Sequence, residues 1–122
     1  MYKRQHLIKK FIKQELSKKP WFLKIKKHVK AIVFYGSTAK ETNKPSSDID
    51  ILIFVPLSIE KKYTKGEYVY EFEGKEVNIV LRSIERLRKL AKSHDDSERE
   101  VFRKSEILFE SDDEVKKLIK RI

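Results

Sequence analysis

The sequence predicts an α+β fold in which a small mixed β-sheet is flanked by helices. Residues 31–35 form a continuous apolar run, residues 48–55 are rich in β-branched residues, and both have the length of strands that are buried on both faces. Alternating apolar and acidic residues over 68–81, interrupted by Glu73-Gly74-Lys75, predict a β-hairpin. Apolar residues at helical spacing near both ends of the chain predict helices that cover this sheet.

The helices follow from local patterns. Residues 3–18 place apolar side chains at helical spacing between lysines, and Pro20 suits the first turn of a second short helix. Ser83 is a candidate N-cap of a third helix, and residues 95–105 and 112–121 are predicted to be helical as well. Residues 38–47 are predicted to form a helical turn and then a loop rich in Asn, Pro and Ser. The second predicted strand ends at Pro56.

Size and composition limit the class of protein. The 122 residues, 39% of them hydrophobic, can bury one modest core, so we expect a single domain over 1–122. No apolar run approaches the roughly 20 residues that cross a bilayer, and the N-terminus lacks a signal-peptide pattern. We therefore expect a cytoplasmic protein without a membrane partner.

The net charge of +10 comes from one end of the chain. Residues 1–30, a basic helical segment, contain eleven lysines and arginines and one acid, Glu15, whereas the remainder is balanced. Clustered positive charge favours polyanions such as RNA, nucleotide phosphates or an acidic protein. A solvated lysine face on an amphipathic helix is the equally weighted alternative.

The absence of cysteine excludes disulfides, thiolate zinc sites and a cysteine nucleophile, and the three histidines are too scattered to indicate a multi-His site, so we expect any metal to be bound by carboxylates. One pattern suits that role: Gly36-Ser37 follows the first apolar strand, and Asp48-x-Asp50 opens the second after ten residues. Glycine lets a phosphate approach the backbone, and the hydroxyls of Ser37 and Thr38 can help to bind it.

Side chains two apart on a strand share a face, so Asp48 and Asp50 are expected to point the same way. Two carboxylates about 4 Å apart repel by roughly 4 kcal/mol at an effective dielectric near 20, and a cation between them removes that repulsion. Carboxylates, water and phosphate oxygens are ligands that Mg²⁺ prefers, and Mn²⁺ accepts them too. A lone Asp-x-Asp is common in loops, but its spacing from Gly36-Ser37 between two buried strands favours a site.

This combination resembles the signature of minimal nucleotidyltransferases, the small members of the DNA polymerase beta superfamily. The resemblance implies a nucleotidyltransferase fold in which Asp48 and Asp50 bind the metal while Gly36 and Ser37 hold the triphosphate of ATP or another NTP. It also implies transfer of NMP, most often AMP, to a hydroxyl of a protein, RNA or small molecule. Members of this group often pair with HEPN-domain proteins, some as antitoxins that transfer AMP onto a toxin tyrosine.

Two departures from the signature bear on activity. The third carboxylate of these proteins falls where this chain has Asn78, which cannot act as a general base but can offer an amide oxygen to a metal. Glu76, two positions earlier on the same strand face, could substitute. After Ser37, where the group often carries arginines, the chain has Thr38 and Lys40. A lysine cannot form the bidentate hydrogen bonds that arginine forms with a phosphate.

Three hypotheses follow. The first is a metal-dependent nucleotidyltransferase. The second is a catalytically weakened nucleotide-binding or partner-binding module of the same fold, and Asn78 in place of a third carboxylate is the observation that favours it. The third is a general RNA-binding domain, which the basic segment favours but which lacks an aromatic RNA-binding motif.

Overall fold

The computed structural model describes residues 4–34, 49–63, 67–92, 102 and 105–121. Five helices and five strands lie in these ranges, in the order α1 (Arg4–Gln14), α2 (Pro20–Ile25), β1 (Ala31–Phe34), β2 (Ile49–Val55), α3 (Leu57–Lys62), β3 (Glu67–Phe72), β4 (Lys75–Ser83), α4 (Ile84–Ala91), β5 (Glu106–Glu110) and α5 (Glu114–Lys120). Two 3₁₀ turns, Leu16–Lys18 and Lys26–His28, follow α1 and α2. Among these helices, none is long and apolar enough to span a bilayer.

The five strands form one mixed sheet in the order β3-β4-β2-β1-β5. Strands β2 and β4 run parallel, whereas the pairs β1/β2, β1/β5 and β3/β4 are antiparallel. The central strand β2 is buried at every position except Asp50, as expected for a strand covered on both faces. The predicted α+β fold with a mixed sheet flanked by helices is therefore confirmed.

The β3/β4 hairpin was predicted and is present. Its turn consists of Glu73, with a φ of 49°, and Gly74, with a φ of 79°. Positive φ at both central residues is the mark of a type I′ turn, whose twist matches that of the flanking strands. The turn thereby fixes the register of the hairpin, in which Val69 lies opposite Asn78.

The first face of the sheet is covered by α1, α2 and the two 3₁₀ turns. Phe11 of α1 is 1% exposed, and its ring lies 5.4 Å from that of Phe72 in an edge-to-face arrangement. Other buried side chains from these helices and from the sheet complete this core: Ile8, Leu16, Phe22, Ile25, Ile51, Ile53 and Ile79. Helical spacing of apolar residues in α1 and α2 thus places their lysines on the outside.

An aromatic cluster joins α2 to the edge strand β3. The rings of Trp21 and Tyr68 are stacked 4.1 Å apart, and Trp21 Nε1 donates a hydrogen bond of 2.6 Å to the Tyr70 hydroxyl. Burial, together with the neighbouring Tyr63 and Tyr70, raises the pKa of Tyr68 above its ordinary value. Tyr68 and Tyr70 therefore belong to the core face of the hairpin.

The second face of the sheet is covered by α4 and α5. Its smaller core joins the strands to the two helices through Ala31, Val33, Leu52, Phe54, Ile84, Leu87, Leu90, Val115 and Leu118. Ser83 caps α4 as predicted, since its Oγ accepts a hydrogen bond of 3.2 Å from the Arg86 amide. Glu60 Oε1 accepts from the Ser83 amide and from Arg86 Nε, which ties α3 to the start of α4.

Some local expectations differ from the structure. Helix α1 ends at Gln14 and a 3₁₀ turn follows, where Ser17 Oγ donates to the Lys13 carbonyl, whereas the sequence predicted one helix over 3–18. Strand β5 and helix α3 were not predicted. Residues 106–110 show no buried alternation, and only pairing with β1 makes them a strand. The predicted helix over 95–105 and turn in 38–47 lie almost entirely outside the described residues.

Candidate functional site

Asp50 lies near the start of the central strand β2, between two fully buried residues. Ile49 and Ile51 are both 0% exposed and point to the first face, whereas Asp50 is partly exposed and points to the second. The alternation of side chains along a strand places Asp50 on the second face, because Leu52 and Phe54 lie on the same side of β2 and belong to the core beneath α4 and α5. The Asp50 carboxylate therefore lies on the second face of the sheet, at the N-terminal end of β2.

Asn78 is the residue directly opposite Asp50 in the parallel β2/β4 register. Its Nδ2 donates a long hydrogen bond of 3.5 Å to Asp50 Oδ1. Because the two strands are parallel, their N-terminal ends meet at the same edge of the sheet. The fold therefore brings together a carboxylate and an amide that are 28 residues apart in the chain.

Glu76 is exposed at the same edge of the sheet and lies on the same face as Asn78, two positions earlier on β4. The spacing of two residues on a strand corresponds to about 7 Å between Cα atoms. Across the hairpin Glu76 is paired with Glu71, which is also exposed. Two acids opposite each other repel and give this edge a negative character that suits a cation.

The remaining residues that the sequence assigned to the site, which are Gly36, Ser37, Thr38, Lys40 and Asp48, lie outside the described residues. In the chain they fall between Phe34, which ends β1, and Ile49, which begins β2. Phe34 is paired with Ile51, the neighbour of Asp50. Their assignment to phosphate and metal binding stays a prediction.

The donor atoms at this edge fit a hard cation. Asp50 provides carboxylate oxygens and Asn78 can provide an amide oxygen, both of the type that Mg²⁺ and Mn²⁺ prefer. Within the described ranges there is no group of three or more His, Cys, Asp or Glu that could hold a metal. A complete ligand set therefore needs additional oxygens, and Asp48 with the phosphates of a nucleotide would supply them.

Val69 belongs to the surroundings of the site, and sequence analysis did not assign it a role there. It is 59% exposed, the most of any large hydrophobic residue described, and lies on β3 directly opposite Asn78. The signal was available in the sequence, because counting outward from the two-residue turn at Glu73-Gly74 gives the same register. Val69 forms an apolar border beside two polar side chains.

Comparison with known proteins identifies the family. The family model described as "Polymerase beta, Nucleotidyltransferase" matches residues 12–114. The chain is also 38% identical over 74 residues to a Methanocaldococcus jannaschii protein named "Putative protein adenylyltransferase", a match that covers 59% of this chain and 76% of that protein. The range that the family model matches includes Asp50, Glu76 and Asn78.

A solved structure has the same fold. It is the nucleotidyltransferase-like protein from Exiguobacterium sibiricum 255-15, with a TM-score of 0.58 at 12% sequence identity. The likeness covers 98% of this chain and 38% of the other, so the present chain corresponds to little more than a third of that protein. Taken with the family model, which spans most of the sequence, this result leads to one conclusion: the chain belongs to the polymerase beta nucleotidyltransferase family.

Proposed function

We propose that this chain is a divalent-metal-dependent nucleotidyltransferase that transfers AMP from ATP to a hydroxyl group. The observation that carries the proposal is Asp50 beside Asn78 at the common edge of two parallel strands, in a chain of this family. Of the acceptor classes, which are protein, RNA and small molecule, protein has the additional support of the relative named as an adenylyltransferase of proteins.

Asp48, Asp50 and the amide oxygen of Asn78 are the residues that we propose for the metal. A divalent ion bound there would neutralise the triphosphate charge and stabilise the pyrophosphate that leaves. The Asn78 amide presents its nitrogen to Asp50 at 3.5 Å. Rotating this amide by half a turn would present the oxygen instead, at the cost of one long hydrogen bond.

The segment before β2 is the proposed phosphate-binding part. The backbone at Gly36 admits a close approach of phosphate, the hydroxyls of Ser37 and Thr38 donate to its oxygens, and Lys40 adds a positive charge. A lysine binds phosphate as a point charge, so orientation of the triphosphate would depend mainly on the backbone and the hydroxyls.

The proton of the acceptor hydroxyl needs a base, and Asn78 cannot accept it. Glu76 is the candidate, because it is exposed on the same strand face two positions from Asn78. The acceptor oxygen attacks the α-phosphorus, the bond between that phosphorus and the bridging oxygen of pyrophosphate breaks, and the hydroxyl proton goes to the Glu76 carboxylate. The products are the adenylylated acceptor and pyrophosphate, with the proton released to water afterwards.

Transfer of radiolabel tests the proposal. The protein is incubated with ATP or GTP labelled at the α-phosphate, Mg²⁺ or Mn²⁺, and lysate of the source cell, and the labelled product identifies the acceptor class. We expect Asp48→Asn and Asp50→Asn to lower transfer by about a thousandfold or more, since a bound metal contributes several kcal/mol.

Asp113→Asn is the matched control, because Asp113 is an exposed carboxylate that pairs with Lys117 at the start of α5. It should transfer as the wild type does. Unchanged labelling by the Asp50 variant would refute the assignment.

Partnership with a HEPN-domain protein is a narrower proposal that rests on resemblance to minimal nucleotidyltransferases. It predicts that a HEPN-domain protein from the same cell becomes labelled on tyrosine and loses its toxicity. Labelling of other proteins while the HEPN-domain protein stays unmodified would rule out the antitoxin role and leave nucleotidyl transfer intact.

The alternative is a weakened module of the same fold that binds nucleotide without transferring it, and Asn78 is the residue that favours it. Calorimetry and a pyrophosphate assay separate the two. ATP binding that requires Mg²⁺, without pyrophosphate release in the presence of lysate, would support the binding module over the enzyme.

A further inference from the structure

The positive charge of this chain is concentrated in the layer formed by α1, α2 and their 3₁₀ turns. Eleven of the 29 basic residues and one of the 19 acids fall in residues 1–30. In a globular protein such an excess is either neutralised by ion pairs with other elements or left facing solvent. The two cases differ in function, because only free charge attracts a partner.

The described lysines of this layer divide into two sets. Three are partly buried and form ion pairs: Lys10 with Glu73 at 3.0 Å, Lys19 with Glu15 at 4.0 Å, and Lys30 with Asp112 at 3.7 Å. Six others are exposed and have no ion-pair partner in the part of the chain that the structure describes. We call them the lysine surface: Lys9, Lys13, Lys18, Lys24, Lys26 and Lys27.

The lysine surface lies on the side of the sheet opposite to Asp50. Phe11 and Phe22 are buried against the first face of the sheet, so exposed lysines on the same helices point away from it. Lys9 and Lys13 are four residues apart on α1 and therefore share its outer side. Asp50, by contrast, is on the second face, so the surface is separate from the proposed nucleotide site.

The composition of the surface argues against a protein or a membrane as its partner. Protein interfaces centre on buried aromatic or apolar anchors, whereas Leu23, 55% exposed, is the one large hydrophobic residue described as exposed in this layer. Binding to a bilayer would need the apolar side of α1, but that side carries Ile8 and Phe11, which are 0% and 1% exposed.

The aromatic residues of the layer argue against single-stranded nucleic acid. Proteins that bind single strands stack bases on exposed aromatic rings. Trp21 is already stacked on Tyr68 at 4.1 Å, and its Nε1 already donates to Tyr70. Lysines without a free aromatic platform can contact phosphates but cannot hold unstacked bases.

We propose that the lysine surface binds the phosphate backbone of base-paired RNA without reading its sequence. A-form RNA offers a wide, shallow minor groove and is recognised through its backbone, which a layer of helices packed flat on a sheet can contact. Many DNA-binding proteins insert a helix into the major groove. Helices α1 and α2 are instead held against the sheet by their buried residues, so they are not free to enter a groove.

Fluorescence anisotropy with a labelled RNA duplex of about 20 base pairs tests the proposal over a series of salt concentrations. The test variant is Lys9→Gln, Lys13→Gln, Lys24→Gln and Lys26→Gln combined. Each lysine that contacts a phosphate contributes about 0.9 to the logarithmic salt slope, so loss of all four should reduce the slope by about 3.6 and the affinity at least tenfold.

A matched control removes the same charge elsewhere. Lysines at 61, 62, 89 and 116 are exposed and lie outside the N-terminal layer, and replacing these four by Gln should leave the salt slope near that of the wild type. An equal loss in both variants would mean that only net charge matters and would overturn the proposal. Replacing the four surface lysines by Arg should preserve binding, which excludes a folding defect as the cause.

Other ligands and one further variant complete the test. Tighter binding to single-stranded RNA, duplex DNA or poly-glutamate than to duplex RNA would overturn the choice of partner. Asp50→Asn should bind the duplex as the wild type does, because Asp50 lies on the opposite face. Failure of RNA binding and failure of nucleotidyl transfer are thus observed independently.

Discussion

The two helical layers of this molecule differ in the balance between free charges and ion pairs. The layer on the first face of the sheet has six exposed lysines without ion-pair partners among the described residues. The layer on the second face has exposed lysines too, among them Lys89 and Lys116, but its arginines form ion pairs between elements, Arg88 with Glu114 of α5 and Arg86 with Glu60 of α3. Net positive charge is therefore concentrated in the first layer, whereas ion pairs connect the helices of the second.

The difference shows how the two proposed functions can be tested separately. The sheet lies between the lysine surface and the edge that carries Asp50 and Asn78, so each can be altered without touching the other. Free lysines beside the acidic edge would compete with a divalent ion for the same carboxylates. The lysine surface lies behind the sheet and cannot compete in this way.

The largest expected effect is on the core of the first face. Phe11→Ala should lower the free energy of unfolding by about 3–5 kcal/mol, because a fully buried ring is lost and its cavity cannot close. Urea denaturation followed by circular dichroism measures this. Lys13→Ala, on the outer side of the same helix, should change stability by no more than about 0.5 kcal/mol. Similar losses in the two variants would show that the lysine surface is structural.

The second effect concerns the site edge of the second face. Asn78→Asp should leave transfer intact or raise it by at most about a hundredfold, the lower end of what a general base contributes, because Glu76 is already the proposed base. Without metal the new carboxylate beside Asp50 should also destabilise the fold by about 1–4 kcal/mol, and Mg²⁺ should restore the loss. Labelled-nucleotide transfer and thermal unfolding with and without Mg²⁺ measure the two changes.

Gln14→Glu provides the control for Asn78→Asp, since it adds the same charge at an exposed position on the first layer. Its unfolding should not acquire a dependence on Mg²⁺. If Asn78→Asp has neither faster transfer nor a Mg²⁺-dependent stability, no metal is bound at this edge.

The smallest effect is on the ion pairs of the second layer. Arg88 donates two hydrogen bonds to Glu114, of 2.7 and 3.0 Å, and this bonding raises the pKa of Arg88 above its ordinary value. Both side chains are partly exposed, at 48% and 33%. A double-mutant cycle with Arg88→Gln and Glu114→Gln should give a coupling of about 0.2–1 kcal/mol that falls in 1 M salt. A coupling free energy that persists in 1 M salt would show that the pair is stabilised by more than the attraction between two solvent-exposed charges.

Much of the fold could be predicted because it depends on local patterns. The apolar run over residues 51–55 of β2, the spacing of Ile8 and Phe11 and the turn at Glu73-Gly74 each specify a local element. Strand β5 could not be predicted in this way. Its residues are only partly buried and do not alternate, and their hydrogen bonds with β1 make them a strand.

The candidate site was predicted in part. The sequence singled out Asp50, and Asn78 as the residue in place of a third carboxylate, but it could not place the two side by side. Val69 was overlooked because an apolar residue in a strand is ordinarily assigned to the core. The roles of Asp48 and of the Gly36-Ser37 segment stay predictions.

By itself, the sequence determined which segments form strands and helices, which of their sides are apolar, and that the excess of lysines lies at the N-terminal end. Only the tertiary structure decided that β2 and β4 are neighbours, that Asn78 therefore lies beside Asp50, and that the lysines and the carboxylate occupy opposite faces of the sheet. The physical reason is that side-chain periodicity is a local property of the chain. Strand pairing, in contrast, depends on hydrogen bonds and packing between residues far apart in sequence.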